Sequence, residues 1–272
     1  MIKLGVHPNF QKKYPPVLAI GGHDPSGGAG IIADAQTLLA LGTWPLTLIT
    51  CLTAQNTEFI KQVSYQPIEA FQQQLETLLA DFQPAAIKLG VLGNLAIQET
   101  LASLLKRIPD IPVILDPVLA STSGTEFSSA ELIAHLKEQI IPFCTVITPN
   151  LPELDLLVPG QGSIEFKALQ LIKLGCKAVL VTGTHNQTHT VKNLLFTASS
   201  EPVVNRWQRL DGEYHGSGCT LASALAALLG RGEALATASV KAQDYTWRSL
   251  EKALKLTEGQ LLPLRMQDVP HA

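Results

Sequence analysis

A glycine-serine-glycine turn precedes an apolar helix late in the chain, in the segment GSGCTLASALAALL at 216–229. The unpaired backbone N–H groups and the positive end of the helix dipole could make Gly216, Ser217 and Gly218 an anion hole for a transferred phosphoryl group. Cys219 stands at the helix mouth, where a thiol should have a lowered pKa and could act as a general base or as a polar contact for an attacking hydroxyl. A structural cysteine after a glycine-rich turn explains this segment alone about equally well.

A second glycine-rich segment, GGHDPSGGAG at 21–30, lies between a predicted strand and a predicted helix. Five glycines in ten residues favour a tight turn or a close approach of backbone to a ligand. The spacing matches neither a P-loop nor a dinucleotide-binding motif, and a tight turn without a ligand is the alternative. Asp24 in the loop and Asp34 in the following helix could each face a ligand, or could be solvated carboxylates near a helix start.

Gln55 and Asn56 follow a predicted strand at 46–52, at the carboxyl end where open α/β sheets bind their ligands. A glutamine amide offers one acceptor and two donors. These groups match the adjacent ring nitrogen and exocyclic amine of an aminopyrimidine, so Gln55 is a candidate for binding such a ring.

Three oxygen-bearing side chains follow two further buried strands: Asp116 in ILDPV, and Asn150 and Glu153 in TPNLPE. Together they form a plausible shell for Mg²⁺, through water, as phosphoryl-transfer sites require. Asp-Pro and Asn-x-Pro are also ordinary turn and cap sequences, and that reading is the stronger one for each residue alone.

Histidine and cysteine positions limit the metal chemistry. His23 and His215 lie inside or beside the glycine-rich segments and could line a ligand, whereas His185 and His189 are expected in surface loops. There is no HExxH motif, so catalytic zinc is not expected. The four cysteines are scattered without a CxxC pair, which indicates neither a zinc knuckle nor a disulfide scaffold and favours a reducing cytoplasm.

Short apolar runs alternate with segments of helical period, a pattern typical of buried parallel strands joined by crossover helices. The predicted strands are 17–20, 46–52, 85–89, 113–115, 145–147 and 178–181, and the predicted helices are 31–41, 68–82, 95–107, 129–139 and 164–174. After Thr190, VKNLLF and EPVVNRW predict an antiparallel extension of the sheet, followed by helices at 217–229 and 234–255.

The chain has 272 residues, of which 46% are hydrophobic and 16% charged, so it is expected to be globular. We predict one domain over 1–272, with 1–16 as an N-terminal extension. The net charge of −3 lacks the positive field that nucleic-acid partners require, and no membrane partner is expected. The N-terminus does not resemble a secretory signal. Gly42 and Pro45 break the uncharged stretch at 35–57, which therefore does not predict a membrane span.

Taken in order, six motifs resemble those of the hydroxymethylpyrimidine and phosphomethylpyrimidine kinases of thiamine biosynthesis, which belong to the ribokinase-like family. The motifs are GGHDPSGGAGIIADAQT, TCLTAQNT, AIKLGVLG, ILDPVLASTSG, TPNLPE and YHGSGCTLASA. The resemblance covers about 17–229. It implies a three-layer α/β/α fold with a central, mostly parallel sheet, a homodimer, and transfer of a phosphoryl group from Mg-ATP to 4-amino-5-hydroxymethyl-2-methylpyrimidine and then to its monophosphate.

The resemblance also implies roles for individual residues. The pyrimidine pocket would be formed by Gly22, Ala29, Asp34, Thr53, Gln55, Val91 and Val118. Asp116 and Glu153 would hold the metal, and Asn150, Thr182 and Gly183 would bind ATP. Gly216, Ser217 and Gly218 would form the anion hole, and Cys219 would occupy the position of the base, which is aspartate in sugar kinases. Thr182 stands where many relatives carry a lysine, and Val91 where many carry methionine.

Three other functions compete with this one. A pyridoxal or pyridoxine kinase would use the same fold and donor. A non-catalytic pyrimidine-binding sensor would have kept the pocket and lost turnover with the missing lysine. An NAD-dependent dehydrogenase depends on the glycine loop alone, and the GxGxxG spacing is absent.

Overall fold

The computed structural model describes residues 13–120, 127–183, 189–198 and 200–266. Within them, nine strands form one sheet in the order β3-β2-β1-β4-β5-β6-β7-β8-β9. The strands are β1 (Pro16–His23), β2 (Trp44–Gln55), β3 (Ile60–Tyr65), β4 (Ala86–Leu89), β5 (Val113–Leu115), β6 (Val146–Ile147), β7 (Ala178–Val181), β8 (Thr190–Thr197) and β9 (Ser200–Gln208). The helices are α1 (Gly30–Ala40), α2 (Ile68–Asp81), α3 (Leu95–Arg107), α4 (Ala130–His135), α5 (Leu151–Leu157), α6 (Ile164–Lys173), α7 (Ser217–Gly230) and α8 (Leu235–Glu251).

The strands from β2 to β7 in the sheet order run parallel, and β3, β8 and β9 pair antiparallel with their neighbours. The four residues from Val17 to Ile20 in β1 have no exposed surface. A strand buried on both faces needs apolar residues without alternation, which is the pattern of its sequence. The predicted parallel sheet with an antiparallel extension is confirmed.

Helices cover both faces of the sheet. On one face Leu18 packs in a cluster with Phe71 of α2 and Leu101 of α3. On the other face Ala19 packs in a cluster with Leu225 of α7. The three-layer α/β/α arrangement is therefore confirmed, and α7 is as buried as its alanine- and leucine-rich sequence predicts. No helix in the described ranges has both the length and the apolar character that a membrane crossing would need.

The structure differs from the sequence prediction at three elements. Strand β3 was not predicted, because each residue of IKQVSY is exposed or half-buried and the segment has no apolar run. The segment of helix α5 was interpreted only as a turn or a cap, and no helix was predicted there. The helix predicted at 129–139 ends at His135 and continues as a π turn (Leu136–Ile140). Residues 1–12 of the predicted N-terminal extension lie outside the described residues.

Candidate active site

The predicted site residues gather at the edge of the sheet where the parallel strands end. Strand β1 leads into the glycine-rich loop 21–30, β2 ends at Gln55, and Asp116 follows β5 directly. The first turn of α7 lies against the same edge, because a Cβ built at Gly218 would stand 3.4 Å from Asp116 Oδ2. Segments from both ends of the chain thus meet at the carboxyl ends of the strands, where open α/β folds bind ligands.

Asp24 organises the glycine-rich loop. Its carboxylate accepts hydrogen bonds from the backbone N–H groups of Ser26 and Ala29, both at 2.8 Å, and from the Ser26 hydroxyl. Burial opposes ionisation, but hydrogen bonds from His215, Ser26 and Gln55 outweigh it, so the pKa of Asp24 lies well below its ordinary value. The carboxylate is 3% exposed and holds the loop. It is therefore not a solvated carboxylate near a helix start.

His215 joins the glycine-rich loop to the predicted pyrimidine-binding residue. Its Nε2 atom lies 2.8 Å from Asp24 Oδ2 and 3.4 Å from the amide nitrogen of Gln55. Its Nδ1 atom lies 2.9 Å from Gln260 Oε1, in the segment after α8. Gln55 therefore belongs to a hydrogen-bonded group that also fixes the loop.

The two glycine-rich segments touch directly, and this contact explains two of the glycines. A Cβ at Gly28 would overlap the His215 ring, and a Cβ at Gly216 would overlap the carbonyl oxygen of Gly28. Gly216 also has φ +73°, which favours glycine. The sequence predicted ligand approach from these glycines, and the structure adds that the loops pack against each other.

The N-terminus of α7 carries donors without helical acceptors. Gly216 is its N-cap and supplies no side-chain cap, and the first helical bond runs from the Thr220 N–H to the Gly216 carbonyl at 3.0 Å. The N–H groups of Ser217, Gly218 and Cys219 precede that bond, so the helix leaves them without a partner. The geometry suits an anion, but the anion-hole role stays a prediction.

Cys219 lies half-buried in this first turn. Burial raises the pKa of its thiol to about 12, and the carboxylates of Asp34 and Asp116 raise it further while Lys88 opposes them. The predicted lowering of this pKa at the helix mouth is therefore wrong, because desolvation of the thiol and the charges of Asp34 and Asp116 raise it. A hydrogen bond joins the thiol to Asp116. The thiol is neutral at physiological pH.

Asp34 forms a buried ion pair instead of presenting a free carboxylate. Its Oδ2 atom lies 2.9 Å from Lys88 Nζ, and its Oδ1 atom accepts the Ser223 hydroxyl at 2.7 Å. Asp34 and Lys88 are 0% and 1% exposed. The pKa of Lys88 is raised, because Asp34 and the other nearby acidic groups outweigh desolvation. Direct contact between Asp34 and a substrate stays a prediction, which these bonds do not support.

Asp116 and Glu153 are the predicted metal ligands. Burial raises the pKa of both carboxyls, and the charge of Asp116 adds to the rise at Glu153. One Glu153 oxygen accepts the Asn150 backbone N–H at 3.0 Å, and Asn150 Oδ1 accepts the Glu153 N–H at 2.9 Å. Asn150 and Glu153 thus form the helix cap that was the alternative reading. Across the described ranges, no group of three or more His, Cys, Asp or Glu side chains is arranged around a metal position.

The predicted ATP-binding residues lie on neighbouring chain segments. Asn150 and Thr182 form an isolated parallel bridge beyond β6 and β7. The Gly183 N–H donates to Asn193 Oδ1 at 3.0 Å. Their contact with a nucleotide stays a prediction. Thr184 and His185, which follow Thr182 and Gly183 in the segment where many relatives carry a lysine, lie outside the described residues, as do positions 121–124 of the ILDPVLASTSG motif.

The remaining predicted pocket residues are held by backbone contacts. The Thr53 hydroxyl donates to the His23 carbonyl at 2.9 Å, and Gly22 leaves space for the Cys51 sulfur. Val118 has φ +39°, a strained value for a β-branched residue. Val91 and Val118 line a cavity of about 10 Å³, which is too small for a pyrimidine.

A larger cavity, of about 520 Å³, lies beside the predicted pocket. It is lined by 56–60, 212–213, 215, 255 and 258–261. None of the seven predicted pocket residues lines it, and it meets the hydrogen-bonded group of Gln55 at His215. Its volume falls within the usual range for small-molecule sites.

Sequence reasoning missed two charged residues near the site. Lys88 stands in the middle of the buried run AIKL, and a charge in such a run was the signal that could have indicated an ion pair. Arg265 lies beyond the last helix, where no pattern marks it. Both are at most 2% exposed.

The comparisons with known proteins show the family and the fold of this chain. The model of the phosphomethylpyrimidine kinase family matches residues 24–263. The hydroxymethylpyrimidine/phosphomethylpyrimidine kinase of Haemophilus influenzae is 34% identical over 251 residues, which cover 89% of this chain and 93% of that protein.

Two solved structures share the fold. Phosphomethylpyrimidine kinase from Clostridium difficile is 29% identical with a TM-score of 0.75, covering 86% of this chain and 99% of that one. An ADP complex of Bacillus subtilis pyridoxal kinase is 26% identical with a TM-score of 0.82, covering 91% and 96%. The family match spans most of the chain, from within the first glycine-rich loop to beyond the second, so this chain belongs to the phosphomethylpyrimidine kinase family.

Proposed function

We propose that this protein is an ATP-dependent kinase that phosphorylates 4-amino-5-hydroxymethyl-2-methylpyrimidine and then its monophosphate, giving the diphosphate used in thiamine biosynthesis. The observation that carries the proposal is the meeting of the α7 N-terminus with Asp116 and with the loop that His215 joins to Gln55. The proposed anion hole and the Gln55 amide, which suits an aminopyrimidine, would thus lie together at the carboxyl ends of the strands. The family and the names of the curated relatives support the substrate.

In the proposed reaction, three groups of the site contact the substrate or the transferred phosphoryl group. The Gln55 amide orients the pyrimidine ring, and the N–H groups of Ser217, Gly218 and Cys219 stabilise the charge on the moving phosphoryl group. Cys219 is a neutral thiol, so it accepts the hydroxymethyl proton only as its own S–H proton passes to Asp116, or else it contacts the hydroxyl alone; in neither case is it a preformed thiolate base. Asp116 is its hydrogen-bonded neighbour.

The donor is ATP, which the family's kinase activity supports, with Mg²⁺ as the proposed cation. Asp116 and Glu153 suit Mg²⁺ because both are hard-oxygen donors, and because burial and the nearby carboxylates raise their pKa values, an effect that a bound cation would offset. Glu153 already accepts a backbone N–H, so we place its contact with the ion through water. The ion would neutralise phosphate charge. Asn150, Thr182 and Gly183 would bind the nucleotide.

We further propose a cytoplasmic homodimer built from one domain over 1–272. Four free cysteines suit a reducing compartment. Strand β2 exposes the large apolar side chains of Trp44 and Leu52, which a second copy would cover. Light scattering coupled to gel filtration measures the oligomeric state, and a monomer at micromolar concentration would contradict the dimer.

The deciding experiment is a substrate panel with Mg-ATP: hydroxymethylpyrimidine, its monophosphate, pyridoxal and ribose. We expect pyrimidine monophosphate and then diphosphate. Phosphorylation of pyridoxal alone would favour the second candidate, a pyridoxal kinase. The structural likeness to the Bacillus subtilis pyridoxal kinase is the observation that supports this candidate. Tight pyrimidine binding by calorimetry with no ATP affinity would instead favour a sensor.

A further inference from the structure

Arg265 is a buried cation whose donors are all used. It lies after α8 and is 2% exposed. Its Nε atom donates to Thr220 Oγ1 at 2.8 Å, its Nη1 atom donates to the Gly27 carbonyl and Gln36 Oε1 at 3.3 and 3.2 Å, and its Nη2 atom donates to the carbonyls of Gly28 and His215. Five hydrogen bonds therefore fix the guanidinium in one orientation.

The acceptors of Arg265 are neutral. They are backbone carbonyls, a hydroxyl and an amide, and no ion pair found among the described residues includes this side chain. Desolvation lowers its pKa, while nearby acidic groups, including Asp34 and Asp24, oppose that change. Because no carboxylate contacts the guanidinium directly and burial limits screening by water, its positive charge raises the electrostatic potential at the groups beside it.

Arg265 lies between the glycine-rich loop and the N-terminus of α7, so its charge acts on these two segments. Gly28 belongs to the glycine-rich loop, His215 immediately precedes the N-cap of α7, and Thr220 lies in the first turn of α7. A Cβ at Gly216 would stand 3.0 Å from Arg265 Nη2. The guanidinium therefore lies directly behind the proposed anion hole and bonds to both segments that form the site.

The backbone around Arg265 is itself anchored. The Tyr245 hydroxyl donates to the Arg265 carbonyl at 2.7 Å, and the Leu264 N–H donates to the Ser249 carbonyl at 3.0 Å. Helix α8 thus holds the C-terminal segment in place.

We propose that Arg265 is a positioning residue for phosphoryl transfer, which holds the glycine-rich loop in register with the α7 N-terminus and adds positive potential behind the anion hole. This inference rests on the proposed kinase function. Alignment of donor and acceptor governs the chemical step more than binding, so the effect of Arg265 appears in kcat.

The test compares Arg265→Lys, which keeps the charge and loses the fork, with Arg231→Lys. Arg231 also donates to a backbone carbonyl, that of Gly42 at 3.1 Å, but it is exposed and lies after the far end of α7. We expect Arg265→Lys to lower kcat about 10-fold or more, with KM for pyrimidine and ATP within about twofold of wild type. Arg231→Lys should match wild type.

A second variant distinguishes loss of the guanidinium group at the site from general misfolding of the protein. In Arg265→Ala, free guanidinium chloride below denaturing concentration should restore part of kcat, and equal potassium chloride should not. Absence of rescue, an unchanged kcat in Arg265→Lys, or a change in KM alone would overturn the inference. Hydrogen exchange gives a readout that does not need turnover: the amides of 216–220 should exchange faster in Arg265→Lys than in Arg231→Lys. If wild type phosphorylates nothing while exchange behaves as expected, the proposed function fails, and with it the role of Arg265 in phosphoryl transfer; only the structural coupling of the glycine-rich loop to the α7 N-terminus stands.

Discussion

The Nε2 atom of His215 lies 2.8 Å from Oδ2 of Asp24, and this hydrogen bond joins two loops that are 191 residues apart in the chain. Because Asp24 also holds the turn at Ser26 and Ala29, the bond couples the shape of the glycine-rich loop to the entrance of α7. The two parts of the proposed site therefore depend on each other.

The carboxylate of Asp24 should make a pH-dependent contribution to stability. Its folded-state pKa lies below the ordinary value of 3.8, so the contribution is present above that value and is lost as pH falls through the folded pKa. We expect Asp24→Asn to lower the free energy of unfolding by about 1–3 kcal/mol at pH 6. The difference from wild type should shrink between about pH 4 and pH 2. Urea unfolding across this pH range measures it, with the exposed Asp81→Asn as control; a difference that is flat with pH would contradict the assignment.

Substitution of Gly216 tests the contact between the loops. Gly232 is the matched position, because it has φ +84° and nothing within 4 Å of an added Cβ, whereas a Cβ at Gly216 overlaps Gly28. Gly232→Ala should cost about 1–2 kcal/mol from backbone strain alone. Gly216→Ala should cost a further 1–3 kcal/mol, approximately, from overlap and should remove kinase activity. Thermal unfolding and turnover measure both effects, and equal behaviour of the two variants would show that the contact is unimportant.

The raised pKa of Cys219 should govern its reactivity. At a pKa of about 12 the thiol is almost fully protonated at pH 7, so alkylation by iodoacetamide should be slow and should rise with pH through pH 9 without levelling. Mass spectrometry of the peptide that contains Cys219, in native protein between pH 6 and pH 9, measures the rate. An inflection of the alkylation rate below pH 8 would show that Cys219 has a low pKa and could act as a thiolate base.

Loss of the Gln55 amide should weaken pyrimidine binding. Gln55→Ala should raise the pyrimidine KM by an amount equivalent to about 1–3 kcal/mol, with kcat changed less, if the ring buries the amide. Gln62→Ala is the control, since Gln62 is an exposed glutamine on the adjacent strand β3. Steady-state kinetics gives the answer, and a rise below twofold would remove Gln55 from the pocket.

The main fold elements could be predicted because their signals are local. The run Val17 to Ile20 is apolar without alternation, and 95–107 carries a helical period that matches α3. Strand β3 has no such signal, because each of its residues is exposed or half-buried. Its strand conformation depends on antiparallel pairing with β2, which lies outside any local pattern.

The sequence by itself determined the alternation of strands and helices and the segments that carry the candidate chemistry, since both depend on residue types at short spacing, and the resemblance of its motifs to a known family implied the three-layer α/β/α kinase fold. Only the tertiary structure decided which groups those segments meet. Asp34 pairs with Lys88, 54 residues away, and Arg265 reaches Gly28 across 237 residues. The pKa of Cys219 shows the same division: the local helix predicts a lowered value, and burial with carboxylates from distant segments raises it. Desolvation and long-range contacts are properties of the folded chain, and no short pattern encodes them.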